Sequence, residues 1–324
     1  QIAYMHTMPH STFSFVSPYM ASTGLAMVLT PFRQACYTAT GSGYSDKAYD
    51  NFMHRYRWGG LDVEKPEDAP YLDEQNRTIV VQMRRAMLDL SLRLLREGDI
   101  AVAAATDSSI YPLLPKQLAT NEYALDRYNK ALDIIRLMDK KLPQFLMPDN
   151  YEFRCQTAEI LYRIADGTNN PGIRKEADML ISSAIDRFAK HMAYFQTLTF
   201  WQPICTADKL LYNQGGYLRL LATYYNANPK AALAKIAEQE RSGIDVWEAF
   251  LRMLNEATHY KAPNYRGYRI FINTDAVCPM MEAYDAERFK KDMALEAYQN
   301  TITAAAEYVD YWKQYDENQL KGNY

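Results

Sequence analysis

The chain has 324 residues and a formal net charge of −3, with acidic and basic side chains dispersed along its length. Proteins that bind nucleic acid or an anionic membrane surface concentrate Lys and Arg in a patch, so this charge argues against both partners. A chain of this length can bury enough apolar surface to fold without disulfides or a structural metal. The cysteines form no C-x-x-C motif, and we expect unbridged, mostly buried thiols at Cys36, Cys155, Cys205 and Cys278.

The N-terminal segment from Gln1 to Phe32 contains no Asp, Glu, Lys or Arg. Prolines and polar residues interrupt it, which indicates buried structure of a soluble protein rather than a membrane span. The pattern predicts strands over Ile2–Met8 and Leu25–Leu29, with a turn or short helix over Pro18–Thr23. Because two strands do not form a stable sheet alone, we expect further strands upstream of Gln1.

A helix follows this segment. Ser45 or Asp46 can cap its start, and Gly59-Gly60 is expected to end it. Residues 1–62 are therefore predicted to form a small α/β segment, the end of a domain truncated upstream. Residues 63–72, which carry Pro66 and Pro70, are predicted to be a linker.

Residues 73–200 are predicted to form two helical hairpins. Asp73 and Glu74 open a long helix as capping and dipole residues, and Gly98-Asp99 is expected to stop it. The remaining predicted helices cover about 121–141, 150–165 and 173–195. The second helix of each hairpin carries a small–large–small triplet at the spacing 0, 4, 7 that tetratricopeptide-type hairpins use, namely Ala124, Tyr128, Ala131 and Ala177, Ile181, Ala184. Any amphipathic helix can show one such triplet by chance.

Residues 201–324 are predicted to form an irregular helical region that ends in a long helix from about Tyr284 to Glu317. The pattern indicates a loop with a short extended piece over Pro263–Val277. This segment holds a candidate patch for a sugar or an anion, because aromatic faces and guanidinium groups suit both, although surface cation–π packing explains the same residues: Tyr265, Arg266, Tyr268 and Arg269.

The sequence shows no nucleophile elbow, phosphate-binding loop, zinc motif or Cys/His constellation. We therefore assign no catalytic, cofactor-binding or metal-binding residue, and we expect no cofactor.

Two short runs carry a family resemblance. The first is Arg57-Trp58-Gly59-Gly60-Leu61-Asp62. The second, in the segment from Tyr71 to Arg77, includes Tyr71, Asp73, Glu74 and Arg77. Together they resemble a junction in a family of large bacterial membrane proteins that is similar to the protein O-mannosyltransferases. The resemblance covers roughly Gln1 to Phe195. The chain departs from it in a longer spacer over Val63–Pro70 and in an insertion over Ile100–Thr120.

The resemblance implies that a multi-span glycosyltransferase core precedes an extracytoplasmic tail with tetratricopeptide-like helices. The catalytic acid of such a family lies in the membrane core, so no residue here inherits that role. The expected location is the periplasmic side of a bacterial inner membrane. The expected partners are the membrane-embedded core of the same polypeptide and an acceptor polypeptide, with no nucleic acid.

The predicted fold is mainly α, with tetratricopeptide-like hairpins and a short α/β N-terminal piece. The predicted function is non-catalytic: the tail binds or positions an acceptor polypeptide, or docks on the membrane core. On the hairpin register, Gln156 and Arg163 face a binding groove. One alternative is a structural helical cap without a ligand. Another is a self-contained carbohydrate-active domain, which requires a pocket with two convergent carboxylates of raised pKa.

Overall fold

Helices make up most of the structure, a computed structural model that describes residues 3–5, 19–30, 41–111, 114–147, 150–197, 207–258 and 265–320. The prediction of a mainly α fold is therefore confirmed. None of the helices in these ranges is long and apolar enough to cross a membrane.

A small antiparallel sheet lies near the N-terminus. It contains β1 (Ala3–Met5), β2 (Met20–Ser22) and β3 (Ala26–Leu29) in the order β1–β3–β2. The prediction of a turn or short helix over Pro18–Thr23 is wrong, because Met20 to Ser22 pair with Leu29 to Met27. A tight turn makes this pairing possible, since the backbone N–H of Thr23 donates to the carbonyl of Ala26 at 2.8 Å.

Helix α1 (Gly41–Asp50) continues directly into a π-helical turn (Asn51–Arg55). Ser45 and Asp46 lie inside α1, so the prediction that one of them caps the helix is wrong. Both side chains instead bond across to other helices, as described below. A 3₁₀ turn (Pro66–Asp68) lies in the segment that was predicted to be a linker.

Helices α2 (Glu74–Thr106) and α3 (Asn121–Lys141) form an antiparallel pair. The hydrogen bonds show this direction. Ser91 donates to the carbonyl of Ala131, and Arg84, seven residues earlier in α2, donates to Asp139 near the end of α3. Helix α2 begins at the predicted cap, since the Asp73 carboxylate accepts the N–H of Asn76 at 2.8 Å. It does not end at Gly98 as predicted.

Tyr128 of α3 explains why α2 continues through Gly98. A Cβ atom at Gly98 would lie 2.6 Å from the ring of Tyr128, so the glycine allows the two helices to approach closely. Packing against the ring offsets the loss of helix propensity, which is about 1 kcal/mol for a glycine in a helix.

Helices α4 (Tyr151–Thr168) and α5 (Pro171–Gln196) follow as a tight hairpin. Asn150 caps α4, and its side chain accepts the N–H groups of Glu152 and Phe153. Asn169 adopts a left-handed conformation (φ 49°) that ends α4. The side chain of Asn170 then accepts the N–H of Gly172 at 2.9 Å at the start of α5.

The C-terminal region contains six further helices within the described residues: α6 (Ala207–Ala227), α7 (Pro229–Arg241), α8 (Val246–Ala257), α9 (Tyr265–Tyr284), α10 (Ala286–Asp292) and α11 (Glu296–Leu320). Two predictions are wrong here. The segment predicted to be a loop over Pro263–Val277 belongs largely to α9, and the single long helix from Tyr284 is divided at Asp285 and at residues 293–295. Asp285 caps α10 by accepting the N–H of Arg288 at 3.0 Å.

The chain divides into two compact units. The first comprises the described residues of Gln1–Phe153, Ile160–Arg174 and Asn318–Tyr324, and the second comprises those of Arg154–Glu159 and Lys175–Glu317. All members of the two small–large–small triplets are buried. Both triplets therefore belong to buried cores and not to solvent-exposed helical faces.

Candidate functional site

An open cleft of about 480 Å³ lies in the second unit, between helices α6, α9 and α11. Pockets of about 300–1,000 Å³ are the size that small ligands occupy in proteins. This cleft is not visible in the sequence, because its walls come from three helices that are far apart in the chain.

The α6 wall carries Arg219 and Asn226, which lie seven residues apart and so share one face of the helix. The Arg219 guanidinium donates to Glu159 at 3.4 Å and to the carbonyl of Ile272 at 3.5 Å. Thr223 donates to the same Glu159 oxygen at 3.5 Å. These bonds fix the position of the guanidinium at the cleft, while Asn226 is exposed.

The α9 wall carries Ile272, Asp275, Ala276 and Pro279, again on one helical face. Pro279 lies inside the helix and has no N–H group. It cannot donate the hydrogen bond that the Asp275 carbonyl would accept in a regular helix. This wall of the cleft therefore carries a carboxylate, Asp275, in a helical turn that lacks one backbone hydrogen bond.

The α11 wall is aromatic. Tyr308 and Trp312 lie one turn apart, and their rings meet edge-on with centroids 6.3 Å apart at 67°. Trp312 is 41% exposed, which is unusual for so large an apolar side chain. Val309 and Lys313 complete this wall, and the Lys313 ammonium lies 3.6 Å from Asp310.

The cleft combines aromatic faces, hydrogen-bond donors, hydrogen-bond acceptors and a single carboxylate side chain, Asp275, among its described lining residues. Such a set suits recognition of a polar ligand. A glycosidase requires a second convergent carboxylate to work as acid, base or nucleophile.

A buried ionic cluster lies in the first unit, where α1 meets α2 and α3. Arg127 is 4% exposed, and its guanidinium lies 2.8 Å from Asp46 and 3.4 Å from Glu97. Lys130 also pairs with Asp46 at 2.9 Å, and Ser45 donates to Glu97 at 2.7 Å. The cluster joins three helices and has the character of a structural contact.

The two carboxylates of this cluster are shifted in opposite directions. Burial raises the pKa of Glu97, against the hydrogen bond from Ser45 and the charge of Arg127. Burial also acts to raise the pKa of Asp46, but the hydrogen bonds from Lys130 and Arg127 outweigh it, so this pKa is lowered. The difference follows from exposure, because Asp46 is half exposed and Glu97 is not.

The residues of the family-like junction form a turn on the first unit. Trp58 is buried and stacks on Phe52 with centroids 6.5 Å apart. Gly59 and Gly60 both have positive φ (59° and 82°), and the N–H of Leu61 closes the turn onto the carbonyl of Trp58. Two consecutive residues in this conformation favour glycine, which explains the Gly-Gly pair.

The other junction residues divide into two groups. Asp62 binds Lys141 at 2.6 Å, and this hydrogen bond lowers the pKa of Asp62. Asp73 caps α2. The remaining members are exposed on the described surface: Arg57, Tyr71, Glu74 and Arg77.

The two predicted groove residues are exposed on α4, and one of them is already paired. Arg163 forms an ion pair with Asp99 of α2, whereas Gln156 lies seven residues earlier on the helix. The predicted sugar or anion patch occupies the first turns of α9, but its side chains lie outside the described residues: Tyr265, Arg266, Tyr268 and Arg269.

The described residues contain no cluster of three or more His, Cys, Asp or Glu side chains that could hold a metal ion. Cys155 and Cys278 are buried thiols outside any disulfide, as predicted, and burial raises the pKa of Cys278 to about 12. The predictions for Cys36 and Cys205 concern positions outside the described residues.

Comparison with known proteins gives no assignment: no protein-family model, curated protein or solved structure matches this chain.

Proposed function

We propose that this chain is the non-catalytic periplasmic tail of a glycosyltransferase-like membrane protein. Its work is to bind or position an acceptor polypeptide, or to dock on the membrane-embedded core of the same polypeptide. Tetratricopeptide-like hairpins form its scaffold.

The packing of Tyr128 carries this proposal. Tyr128 is the large member of the triplet in α3, and its ring lies between Gly98 of α2 and Gly167 of α4. A Cβ atom at Gly167 would lie 2.5 Å from the ring. The large residue of one hairpin thus packs on the first helix of the next, which is how consecutive repeats of a helical array contact each other.

A polar contact accompanies this packing. The Tyr128 hydroxyl donates to Asp99 at 2.8 Å, and Asp99 also pairs with Arg163 of α4. Arrays of this kind use their exposed helical faces to bind extended polypeptides. Gln156 is the exposed α4 residue on which we place the polypeptide contact.

The Asp99–Arg163 pair also favours a second candidate, a structural cap without a ligand, because it occupies part of the predicted binding face. The two candidates differ in one observable. A polypeptide-binding tail contacts a second chain, or the membrane core, through Gln156, and a structural cap does not.

Site-specific photo-crosslinking in the full-length protein separates the two. A photo-reactive amino acid at position 156 is expected to capture either a polypeptide that carries the transferred glycan or the membrane core. Mass spectrometry of the adduct identifies which. Met179 of α5, which is 59% exposed, is the control position and is expected to give no such adduct.

Equal capture at both positions, or no adduct at position 156, would favour the structural cap. The proposed membrane context has its own test in the reading frame that encodes the chain. Several apolar spans of about 20 residues are expected upstream of Gln1. A reading frame without them would contradict the membrane context, but it would not change the interpretation of the crosslinking result.

A further inference from the structure

We propose that the cleft between α6, α9 and α11 binds a neutral sugar residue, with the sugar ring stacked on Trp312 and its hydroxyls bonded to Asn226, Asp275 and Arg219. This inference goes beyond polypeptide binding and does not depend on it. It assigns a ligand class to residues that are separate from Gln156 and Arg163.

The aromatic wall supplies the stacking surface. The face of an aromatic ring carries partial negative charge, and the C–H face of a pyranose carries partial positive charge, so the two faces attract. Trp312 is 41% exposed and lines the cleft beside Tyr308. The rings of Tyr308 and Tyr311 both meet Trp312 edge-on, with centroids 6.3 Å and 5.5 Å away, and leave it partly exposed.

The polar walls supply both halves of the hydrogen-bonding that a sugar needs. Each sugar hydroxyl can donate one hydrogen bond and accept two, as a serine hydroxyl does. The Asn226 amide donates and accepts, the Asp275 carboxylate accepts, and the Arg219 guanidinium donates. Since Arg219 is already held by Glu159 and by the carbonyl of Ile272, its remaining donors have a fixed direction.

Pro279 adds a feature to the same wall. Because Pro279 has no N–H group, the helical partner of the Asp275 carbonyl is missing. Asp275 therefore brings its carboxylate to the cleft from a turn of the helix that lacks one backbone hydrogen bond.

The balance of charge disfavours an anionic ligand. The cations Arg219 and Lys313 are each opposed by a carboxylate, Glu159 at 3.4 Å and Asp310 at 3.6 Å. Asp275 adds a negative charge at the cleft, which disfavours a phosphate, and the titration with tetralysine described below separates a neutral ligand from a cationic one. A purely apolar ligand would bury these polar groups without hydrogen bonds, which costs free energy.

Isothermal titration calorimetry of the 324-residue chain with maltotetraose, cellotetraose and mannotetraose tests the proposal. At least one of these neutral oligosaccharides is expected to bind. Trp312→Ala is expected to weaken the binding by about tenfold or more, equivalent to about 1.4 kcal/mol. Tyr194→Ala is the matched control, since Tyr194 is 62% exposed in the same unit but does not line the cleft.

A conservative variant separates stacking from folding. Trp312→Phe keeps an aromatic ring and is expected to bind within about threefold of the parent chain. The same substitution is expected to remove the part of the fluorescence change that sugar binding causes at Trp312. Circular dichroism verifies that each variant keeps its helix content.

Three results would overturn the proposal. The first is that none of the three oligosaccharides binds. The second is that Trp312→Ala and Tyr194→Ala weaken binding equally. The third is that tetralysine or tripolyphosphate binds in the same titration and loses affinity on Trp312→Ala while the neutral sugars show no binding.

Discussion

Tyr128 shows how one side chain can determine the spacing of three helices. Its ring fills the space that Gly98 and Gly167 leave open, and its hydroxyl bonds to Asp99. Only glycine fits at these two positions while the ring remains in place. The helices therefore gain close packing at the cost of helix propensity at two sites.

Gly98→Ala and Gly167→Ala are each expected to destabilise the first unit, by about 1–3 kcal/mol, because the added methyl group overlaps the Tyr128 ring. Thermal and chemical denaturation followed by circular dichroism measure the effect. The control is the same substitution in a Tyr128→Leu background, where the ring no longer meets the methyl group. If the alanine substitution cost the same free energy of unfolding in the Tyr128→Leu background as in the parent chain, overlap with the Tyr128 ring would not be its cause.

Glu97 and Asp46 are expected to respond to pH in opposite directions. The raised pKa of Glu97 makes its contribution to stability greatest below its unfolded pKa, and the contribution is lost as pH rises through the folded pKa. The melting temperature of Glu97→Gln, relative to that of the parent chain, is therefore expected to increase from pH 4 to pH 8. Melting temperatures across this range measure the difference.

Asp46 provides the opposite sign. Its lowered pKa gives a contribution that is present above the unfolded pKa and is lost as pH falls through the folded pKa. Asp46→Asn is therefore expected to lower the melting temperature at neutral pH and to have little effect in acid. If both substitutions showed the same pH trend, the difference in burial between Glu97 and Asp46 would not decide the directions of their pKa shifts.

At the scale of elements, polar contacts join helix α1 to α2 and α3. Ser45 and Asp46 reach Glu97 and Arg127, and Tyr49 donates to Asp133 at 2.8 Å. This explains why a capping residue was the wrong interpretation of Ser45 and Asp46, since both side chains serve a contact between helices.

Arg127→Met is expected to lower the free energy of unfolding by about 3 kcal/mol, because the buried Glu97 carboxylate loses the guanidinium that lies 3.4 Å from it. Lys130→Met is the matched control and is expected to cost about 1 kcal/mol or less, since Lys130 is 25% exposed and its partners are half exposed. Denaturation curves of the two variants provide the comparison. Equal losses would show that burial of the cation is unimportant.

Several helix ends were predictable because their signals are local. Asp73 caps α2 as predicted, and the predicted bounds of α3, α4 and α5 agree closely with the structure. A cap involves residues within one turn, so sequence alone can show it. The continuation of α2 through Gly98 depends on Tyr128, which lies 30 residues away in the chain.

The cleft could not be predicted for the same reason. Its walls come from α6, α9 and α11, and the middle wall falls in a segment that was interpreted as a loop. Two local signals were nevertheless present: the Tyr308–Trp312 pair at helical spacing and a proline inside a helical pattern. Neither signal shows which helix faces which, because packing decides that.

At the scale of the whole chain, neither unit is one continuous stretch of sequence. The first unit includes Ile160–Arg174, although residues 154–159 belong to the second. A chain that ends after α3 therefore lacks part of the first unit, including Gly167 and Arg163, which contact Tyr128 and Asp99.

A fragment of residues 1–174 is expected to unfold cooperatively and at a higher temperature than a fragment of residues 1–147. The shorter fragment exposes the Tyr128 face and loses the Arg163–Asp99 pair. Circular dichroism melts of both fragments provide the measurement. Equal melting temperatures would show that α4 adds nothing to the first unit.

Helix α2 has a mechanical consequence. Its 33 residues extend about 50 Å without a break. A rod of that length converts a small angular change at one end into a large displacement at the other, since a tilt of about 5° moves the far end by about 4 Å. A tilt of the helix about Asp73 would therefore displace Asp107 by ångströms without breaking a hydrogen bond of the helix.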